Sequence, residues 1–300
     1  MHFSIRPQVP DDYPGIGALE GETAEWVAGQ AAKNPKFVGL VAVADGGQVL
    51  GRASAGFMHD YTEAGDMRCL VRVAPEHRRQ GVGGALWKAL LEAVALHRPK
   101  HLRANGDARY PEDVAWAERR GFAAKHHVIF QTLDLTALPE FDLTTGYRFV
   151  PFAELRSPEG ERRLHAMFQE YETHTPDGGE WEYEPFDSWR TWTLDSENAW
   201  PEGWLVAIAP DGDWAGFTMA MRDGTDRVHT IMTGVAPAHR GQGLGFAMKV
   251  AVARLAAELG FRRLSTLNHA ANKPILAINR RLGFQVEEDI LRLVLPCTWE

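Results

Sequence analysis

The sequence predicts an α/β fold made of two tandem copies of one domain, each a central sheet flanked by helices. Three observations carry that expectation. The segment VAPEHRRQGVGGAL at 73–86 returns as VAPAHRGQGLGFAM at 235–248, an offset of 162 (235 minus 73). Arg120-Gly121-Phe122 returns as Leu282-Gly283-Phe284 at the same offset, so the two segments align without a gap. A period this long marks a duplicated domain rather than a solenoid unit, and 300 residues leave room for two domains of ordinary size.

In the first copy, Phe3 to Val9 alternates apolar and polar residues, and 37–45 and 48–58 read as strands joined by the turn Asp45-Gly46-Gly47. A strand follows at 67–74. The run from Gly81 to His97 sets Leu86, Leu90 or Leu91, and Val94 on one helical face. A strand at 101–105 leads to a second helix over 111–120, opened by Pro111 and closed by Gly121. In the second copy, strands at 203–209 and 214–221 flank Asp211-Gly212-Asp213, and another covers 228–236. Leu244, Met248, Val252, Leu255 and Leu259 then fall on one face of a helix. Strand 262–267, helix 273–282 and strand 284–295 complete the copy. Pro139, Thr144, Thr145 and Gly146 separate two strand signals, which assigns 1–140 to the first domain and 141–300 to the second.

A hydrophobic share of 45%, with 24% charged and 10% aromatic residues, is enough for a sizeable core and excludes a disordered or fibrous chain. The formal charge of -8 provides no basic field for phosphate backbones or anionic lipid, so no nucleic-acid or membrane partner is expected. Cationic small molecules suit it better. Cys69 and Cys297 form no CxxC, which excludes a disulfide scaffold and a cysteine-based zinc site and points to a reducing cytosol. MHFSIRPQVP lacks the apolar run of a signal peptide, and the apolar stretch 244–259 carries Lys249, Arg254 and Glu258, so no membrane span is expected. The expectation is a cytoplasmic monomer or homodimer.

The sharpest chemical signal is a strand ending in Val-Ala-Pro, then a glycine-rich turn opening a helix, present twice. Glycines allow close backbone approach, and the free N–H groups of a helix start attract anions, so a pyrophosphate suits the turn. Two nucleotide motifs fail. A Walker loop needs lysine followed by a hydroxyl residue, which neither copy has, and a dinucleotide GxGxxG would need glycine where Phe246 and Leu86 stand.

What does fit is the R/Q-x-x-G-x-G/A turn, as Arg78-Arg79-Gln80-Gly81-Val82-Gly83 and Arg240-Gly241-Gln242-Gly243-Leu244-Gly245. On these residues, and on the helix, strand, helix and Gly-Phe that follow at matching distance, the chain resembles a tandem member of the GCN5-related N-acetyltransferase (GNAT) superfamily. The resemblance covers almost the whole chain. It implies a mixed sheet in each domain and acetyl-CoA, or another short acyl-CoA, as donor. The pyrophosphate would lie on the turn residues just named, with Val73 and Gly84 beside the first and Val235 beside the second. The pantetheine would lie between splayed strands ending near Val235 and Asn268, with Asn272 opening the last helix.

The same resemblance puts a tyrosine, the proton donor to the departing thiolate, four residues before Gly-Phe. This sequence has Asn279 there, and an amide hydrogen-bonds but does not act as an acid. The first copy has Tyr110 and Ala117 where the second has Asn272 and Asn279, so the second copy is expected to catalyse and the first to bind CoA or serve structure. A family base often precedes the turn on its strand. The position holds His229, with Asp226 near in sequence to orient it, against Met67 in the first copy.

For the acceptor, the segment from Asp177 to Trp189 alternates carboxylates with aromatics, and Trp181, Glu182 and Glu184, together with Asp226, suit a cationic amine. Antibiotic, polyamine and amino-sugar amines are all open, a mycothiol-synthase-like role being a narrower variant. No HExxH or other hydrolytic or metal-ligand spacing occurs, so no metal is expected. The expected activity is N-acyl transfer by direct attack of a deprotonated small-molecule amine on the thioester. The alternative is a catalytically silent acyl-CoA-binding or scaffold protein.

Overall fold

A computed structural model describes the chain apart from residues 1, 35, 58–64, 144, 177–183 and 300. It divides into two compact units. One holds residues 1–125 with 291–300, and the other holds 126–290.

The first unit contains strands β1 (Phe3–Pro7), β2 (Val38–Ala44), β3 (Val49–Phe57), β4 (Met67–Val73) and β5 (His101–Asp107), in the order β1-β2-β3-β4-β5. Its helices are α1 (Tyr13–Glu20), α2 (Ala24–Lys33), α3 (Val82–Ala95) and α4 (Pro111–Glu118). Side chains of a strand alternate between the faces of its sheet. Leu40 and Ala42 accordingly join the core with Leu86, Leu90 and Val94 of α3, while Val41 packs with Ile16 of α1 and Val27 of α2. The sheet is mixed: β1 to β4 run antiparallel, and β5 pairs parallel with β4 only at Met67–Leu102 and Arg68–Arg103.

The second unit repeats this plan. Strands β6 (Ala123–Asp134), β7 (Arg148–Pro151), β8 (Leu205–Ile208), β9 (Trp214–Asp223), β10 (Arg227–Val235) and β11 (Arg263–His269) lie in the order β6-β11-β10-β9-β8-β7. The helices are α5 (Phe152–Leu155), α6 (Pro158–Glu172), α7 (Phe186–Trp192), α8 (Leu244–Glu258) and α9 (Lys273–Leu282), and strand β12 (Gln285–Pro296) follows. Val206 and Ile208 face a core of Phe152, Phe168 and Trp189, whereas Ala207 and Ala209 face Leu244 and Met248 of α8. Helix α8 is buried over more than the expected stripe. Val250, Ala253 and Ala256 are inside too, while Leu259 is exposed because it lies just past the last turn. No helix of the described residues is long and apolar enough to cross a membrane.

Strands β10 and β11 pair in parallel through Thr230–Thr266, and no pairing continues beyond. Opposite β9 the register shifts between Thr230 and Met232, leaving Ile231 as a bulge residue. Bulges re-aim a strand and end its pairing. The chain is thus parted between the ends of β10 and β11.

The compact units are not the expected 1–140 and 141–300. Strands β6 and β12 are equivalent in the repeat (123 and 285 are 162 apart), as are β5 and β11 (101 and 263). Instead of closing its own copy, β6 pairs antiparallel with β11, from Val128–His269 to Asp134–Arg263. Reciprocally, the end of β12 belongs to the first unit, where Leu293 and Leu295 enter the core and the Trp299 indole N–H donates to the Pro99 carbonyl at 2.7 Å. The two copies have exchanged their closing strands.

Candidate functional site

The two turns share the hydrogen bonds that brace them. Arg240 Nε donates to the carbonyl of Val235 at 2.9 Å, and Arg78 Nε donates to that of Val73 at 3.2 Å. Gln80 Nε2 donates to the Glu76 carbonyl at 2.9 Å, matched by Gln242 and Ala238 at 3.4 Å. These side chains therefore brace the turn, and the backbone is left to face a ligand. Gly243 and Gly81 are the caps of α8 and α3, with φ of +79° and +85°. Beside Gly81, Gly241 and Gly243 there is no atom within 4 Å of where a Cβ would stand. The first N–H groups of each helix lack intrahelical acceptors and carry the positive end of its dipole. Leu244 and Val82 are buried in the cores, so only their backbone can serve a ligand; a Cβ on Gly83 would touch Val73, and one on Gly245 would touch Ile278. The turns differ at Arg79, which adopts φ of +60° where the second copy has Gly241. A left-handed non-glycine costs roughly 1 kcal/mol.

Where β10 and β11 part, the second unit buries a polar cluster. Lys249, midway along α8, is 1% exposed, and its Nζ donates to Asn279 Oδ1 at 2.7 Å. Asn279, fully buried on α9, donates from Nδ2 to Gln131 Oε1 and to Asn268 Oδ1, each at 2.8 Å. Asn279 therefore has its oxygen and both N–H groups committed to neighbouring side chains. Lys249 makes no ion pair among the described residues, and burial draws its pKa down to about 7. Asn272 caps α9, accepting from the Ile275 N–H at 3.4 Å. Among the described residues the equivalent places of the first unit hold no such cluster: the positions 162 earlier than Lys249, Asn279 and Asn268 are Trp87, Ala117 and Gly106, and the partner of Gln131 in the repeat is Leu293. Trp87, Ala117 and Leu293 are apolar core.

His229 lies on the other face of β10. Its Nδ1 shares a hydrogen bond with Ser265 Oγ at 2.9 Å, and its ring stacks on Phe130, 5.9 Å between centroids. Burial draws its pKa down to about 4. The folded protein thus keeps an uncharged imidazole down to pH 4, whereas the unfolded chain binds a proton below about pH 6.5. Stability attributable to this residue is lost as pH falls from 6.5 to 4, by about 3 kcal/mol across the interval. Urea denaturation of His229→Gln at pH 7 and pH 4.5 should show about 2.5 kcal/mol less loss than the wild type; equal losses would mean that the imidazole titrates normally.

Two expectations for carboxylates change. Asp226 does not orient His229: its carboxylate pairs with Arg263 at 3.0 Å on the surface, and the imidazole's partner is Ser265. Glu184 is engaged by its own segment, accepting from Ser188 Oγ and Trp192 Nε1, both at 2.8 Å. Trp181 and Glu182 lie outside the described residues.

The model of the Acetyltransferase (GNAT) family matches residues 164–284, and that of a GNAT acetyltransferase domain matches 36–124. The mycothiol acetyltransferase of Clavibacter sepedonicus is 30% identical over 221 residues, 71% of this chain and 67% of the relative. The chain belongs to the GNAT acetyltransferase family. The mycothiol acetyltransferase of Kineococcus radiotolerans is 32% identical over 59% of this chain, which spans 56% of that relative's length. Among solved structures, a GCN5-related N-acetyltransferase from Sphaerobacter thermophilus superposes with a TM-score of 0.73 at 19% identity, over 98% of this chain and 95% of that one. A tandem GNAT protein from the clavulanic acid biosynthesis pathway gives 0.59 at 22% identity, over 98% of both. At such identities the likeness is one of fold.

A GNAT acetyltransferase takes its acyl group from acetyl-CoA, and the residues present fit that donor: an open glycine turn at a helix start for the pyrophosphate, and parted strands for the pantetheine arm. Sequence reasoning passes over two members of the polar cluster. Lys249 reads as a charge that merely forbids a membrane span, and Gln131 reads as part of the first copy. Reading the repeats side by side would find both, since polar residues in one copy oppose apolar ones in the other.

Proposed function

We propose that the second unit of this GNAT protein transfers the acetyl group of acetyl-CoA to the primary amine of a small molecule, and that the first unit carries out no transfer. The observation that supports this reading is the cluster of Lys249, Asn279, Asn268 and Gln131 at the parted strands, opposed by Trp87, Ala117, Gly106 and Leu293 in the first unit. A reacting carbonyl needs polar neighbours, and the apolar set offers none.

Acetyl-CoA, when bound, supplies an activated thioester carbonyl for the amine to attack. The turn from Arg240 to Gly245 would hold its pyrophosphate through backbone N–H groups, and the Arg240–Val235 bond keeps the turn in register with the strand end. Asn268 and Asn272 would flank the arm. His229, bonded to Ser265, stacked on Phe130 and held uncharged by burial, is not placed as the amine's base, and kcat/KM is expected to follow the amine's own ionisation. The relatives named mycothiol acetyltransferase favour the unacetylated precursor of mycothiol as the first acceptor to try.

The test is a panel of amines, that precursor included, incubated with acetyl-CoA and the purified protein, with release of the CoA thiol as readout. Turnover of any amine supports the reading, and a flat panel with intact acetyl-CoA binding leaves the silent binding protein. In an active pair, His229→Ala should lower kcat/KM by less than about tenfold, below the usual contribution of a positioned base. A loss of about a hundredfold with the acid limb of the pH profile abolished would make His229 the base after all.

A further inference from the structure

Lys249 is a costly residue to keep where it is. A buried amine without a carboxylate partner opposes folding, yet the equivalent place in the first unit is filled by Trp87 without difficulty. What the lysine supplies is direction. Lys249 offers N–H groups to the one atom of the Asn279 amide that can accept them, and Asn279 turns its oxygen towards Nζ, at 2.7 Å. Both amide hydrogens of Asn279 then point away, to Gln131 Oε1 and Asn268 Oδ1. With its oxygen engaged in turn, Asn268 keeps its own Nδ2 hydrogens without an acceptor among the described residues. Asn268 is half-buried and lies two residues past Thr266, the last residue of β11 that pairs with β10. The free donor of the chain of amides is therefore delivered at the parted strands.

We propose that Lys249, acting through Asn279, fixes Asn268 as the amide donor that meets the acyl carbonyl of the bound thioester. Lys249 is a positioning residue, and Asn268 is the group that touches the substrate. A donor preset towards the oxygen where charge develops needs no reorganisation during the reaction, which is why such donors contribute strongly to rate. Without Lys249, the Asn279 amide is free to turn over, and Asn268 with it. This assignment rests on the reading of the second unit as the one that transfers.

The experiment compares the full-length wild type with Lys249→Met, Asn268→Ala and the double variant, and Lys249→Gln serves as a milder substitution with a neutral donor. Kinetics with an active amine should show kcat reduced roughly 30- to 100-fold in Lys249→Met and in Asn268→Ala, with KM for acetyl-CoA within about threefold. The double variant should be no slower than the slower single one, because the residues act in series. Lys249→Met should melt close to the wild type, since relief of the buried amine's desolvation offsets the loss of the donor to Asn279 Oδ1, whereas a lysine kept for structure would leave a clearly less stable protein. Calorimetry supplies a readout independent of turnover: affinity for acetyl-CoA should fall about two- to threefold in both single variants while affinity for CoA, which lacks the carbonyl, stays unchanged. A Lys249→Met enzyme with kcat within twofold of wild type, single losses that multiply in the double variant, or equal weakening of acetyl-CoA and CoA would each overturn the proposal. Should Lys249→Met fail to fold, the same readouts on Lys249→Gln and Asn268→Ala decide it. If no amine is turned over by the wild type, the acceptor reading fails while the two affinities still decide the role of Lys249.

Discussion

Gly243→Glu should abolish acetyl transfer and remove the thermal stabilisation that acetyl-CoA confers, while Gly81→Glu should leave transfer within a few-fold of the wild type. Both glycines cap a helix with left-handed φ, and beside both there is open space. The backbone strain of a non-glycine, roughly 1 kcal/mol, is therefore common to the pair and cancels in the comparison. What differs is the consequence of placing a carboxylate where a pyrophosphate must sit, at the positive end of the helix leading to the polar cluster rather than to Trp87. Ligand stabilisation follows RT ln(1 + [L]/Kd), about 2.7 kcal/mol at a hundredfold excess, so the loss is readable as a melting shift. Transfer that survives in Gly243→Glu and disappears in Gly81→Glu, at equal stability, would exchange the roles of the two units.

The second large effect is on stability. Asn279→Leu should destabilise the protein by about 3 to 5 kcal/mol, because Lys249 Nζ, Gln131 Oε1 and Asn268 Oδ1 each lose a partner inside the fold. Adding Lys249→Met to that variant should restore most of the loss. The pair of substitutions replaces the most expensive unpaired group with a side chain of similar volume, and the first unit already accepts Trp87 and Ala117 at these places. Denaturant unfolding of the two single variants and the double variant measures the coupling. Additive losses would mean that lysine and asparagine are not bound to one another as described.

Much of this architecture is legible because it is written locally. Glycine spacing specifies the turns, Pro111 and Gly121 bound α4, and the bounds of α9 follow from its pattern. Helix α6 carries equally local signals, Ser157 as cap, Pro158 at its start and Leu164, Phe168 and Tyr171 on its buried face. The exchange of β6 and β12 is not local information. Both strands present the same alternation to either partner, so nothing within them says which of two equivalent neighbours they join. The same blindness hides Gln131, whose burial against Asn279 follows from the exchange. His229 and Asp226 fail as a pair for another reason. Nearness in sequence does not bring these side chains together, because Asp226 ends the turn before β10 while His229 lies within the strand, facing Ser265. Arg263 on the neighbouring strand reaches Asp226 first.

The exchanged strands also set an order of events during synthesis. The first unit is closed by residues 291–299, which leave the ribosome only after the 165 residues from 126 to 290 have been made (290 minus 125). At about 5–20 residues per second, that is roughly 10 to 30 seconds in which β5 has an unpaired edge and the core around Leu86 lacks Leu293. The second unit suffers no such wait, since its borrowed strand β6 is already made when β11 emerges. The unit with the polar cluster can therefore finish folding first, and the older half of the nascent chain is the one exposed to misassociation and to chaperones. A copy without the polar cluster is in this way still bound to the other, because each depends on a strand encoded in its counterpart.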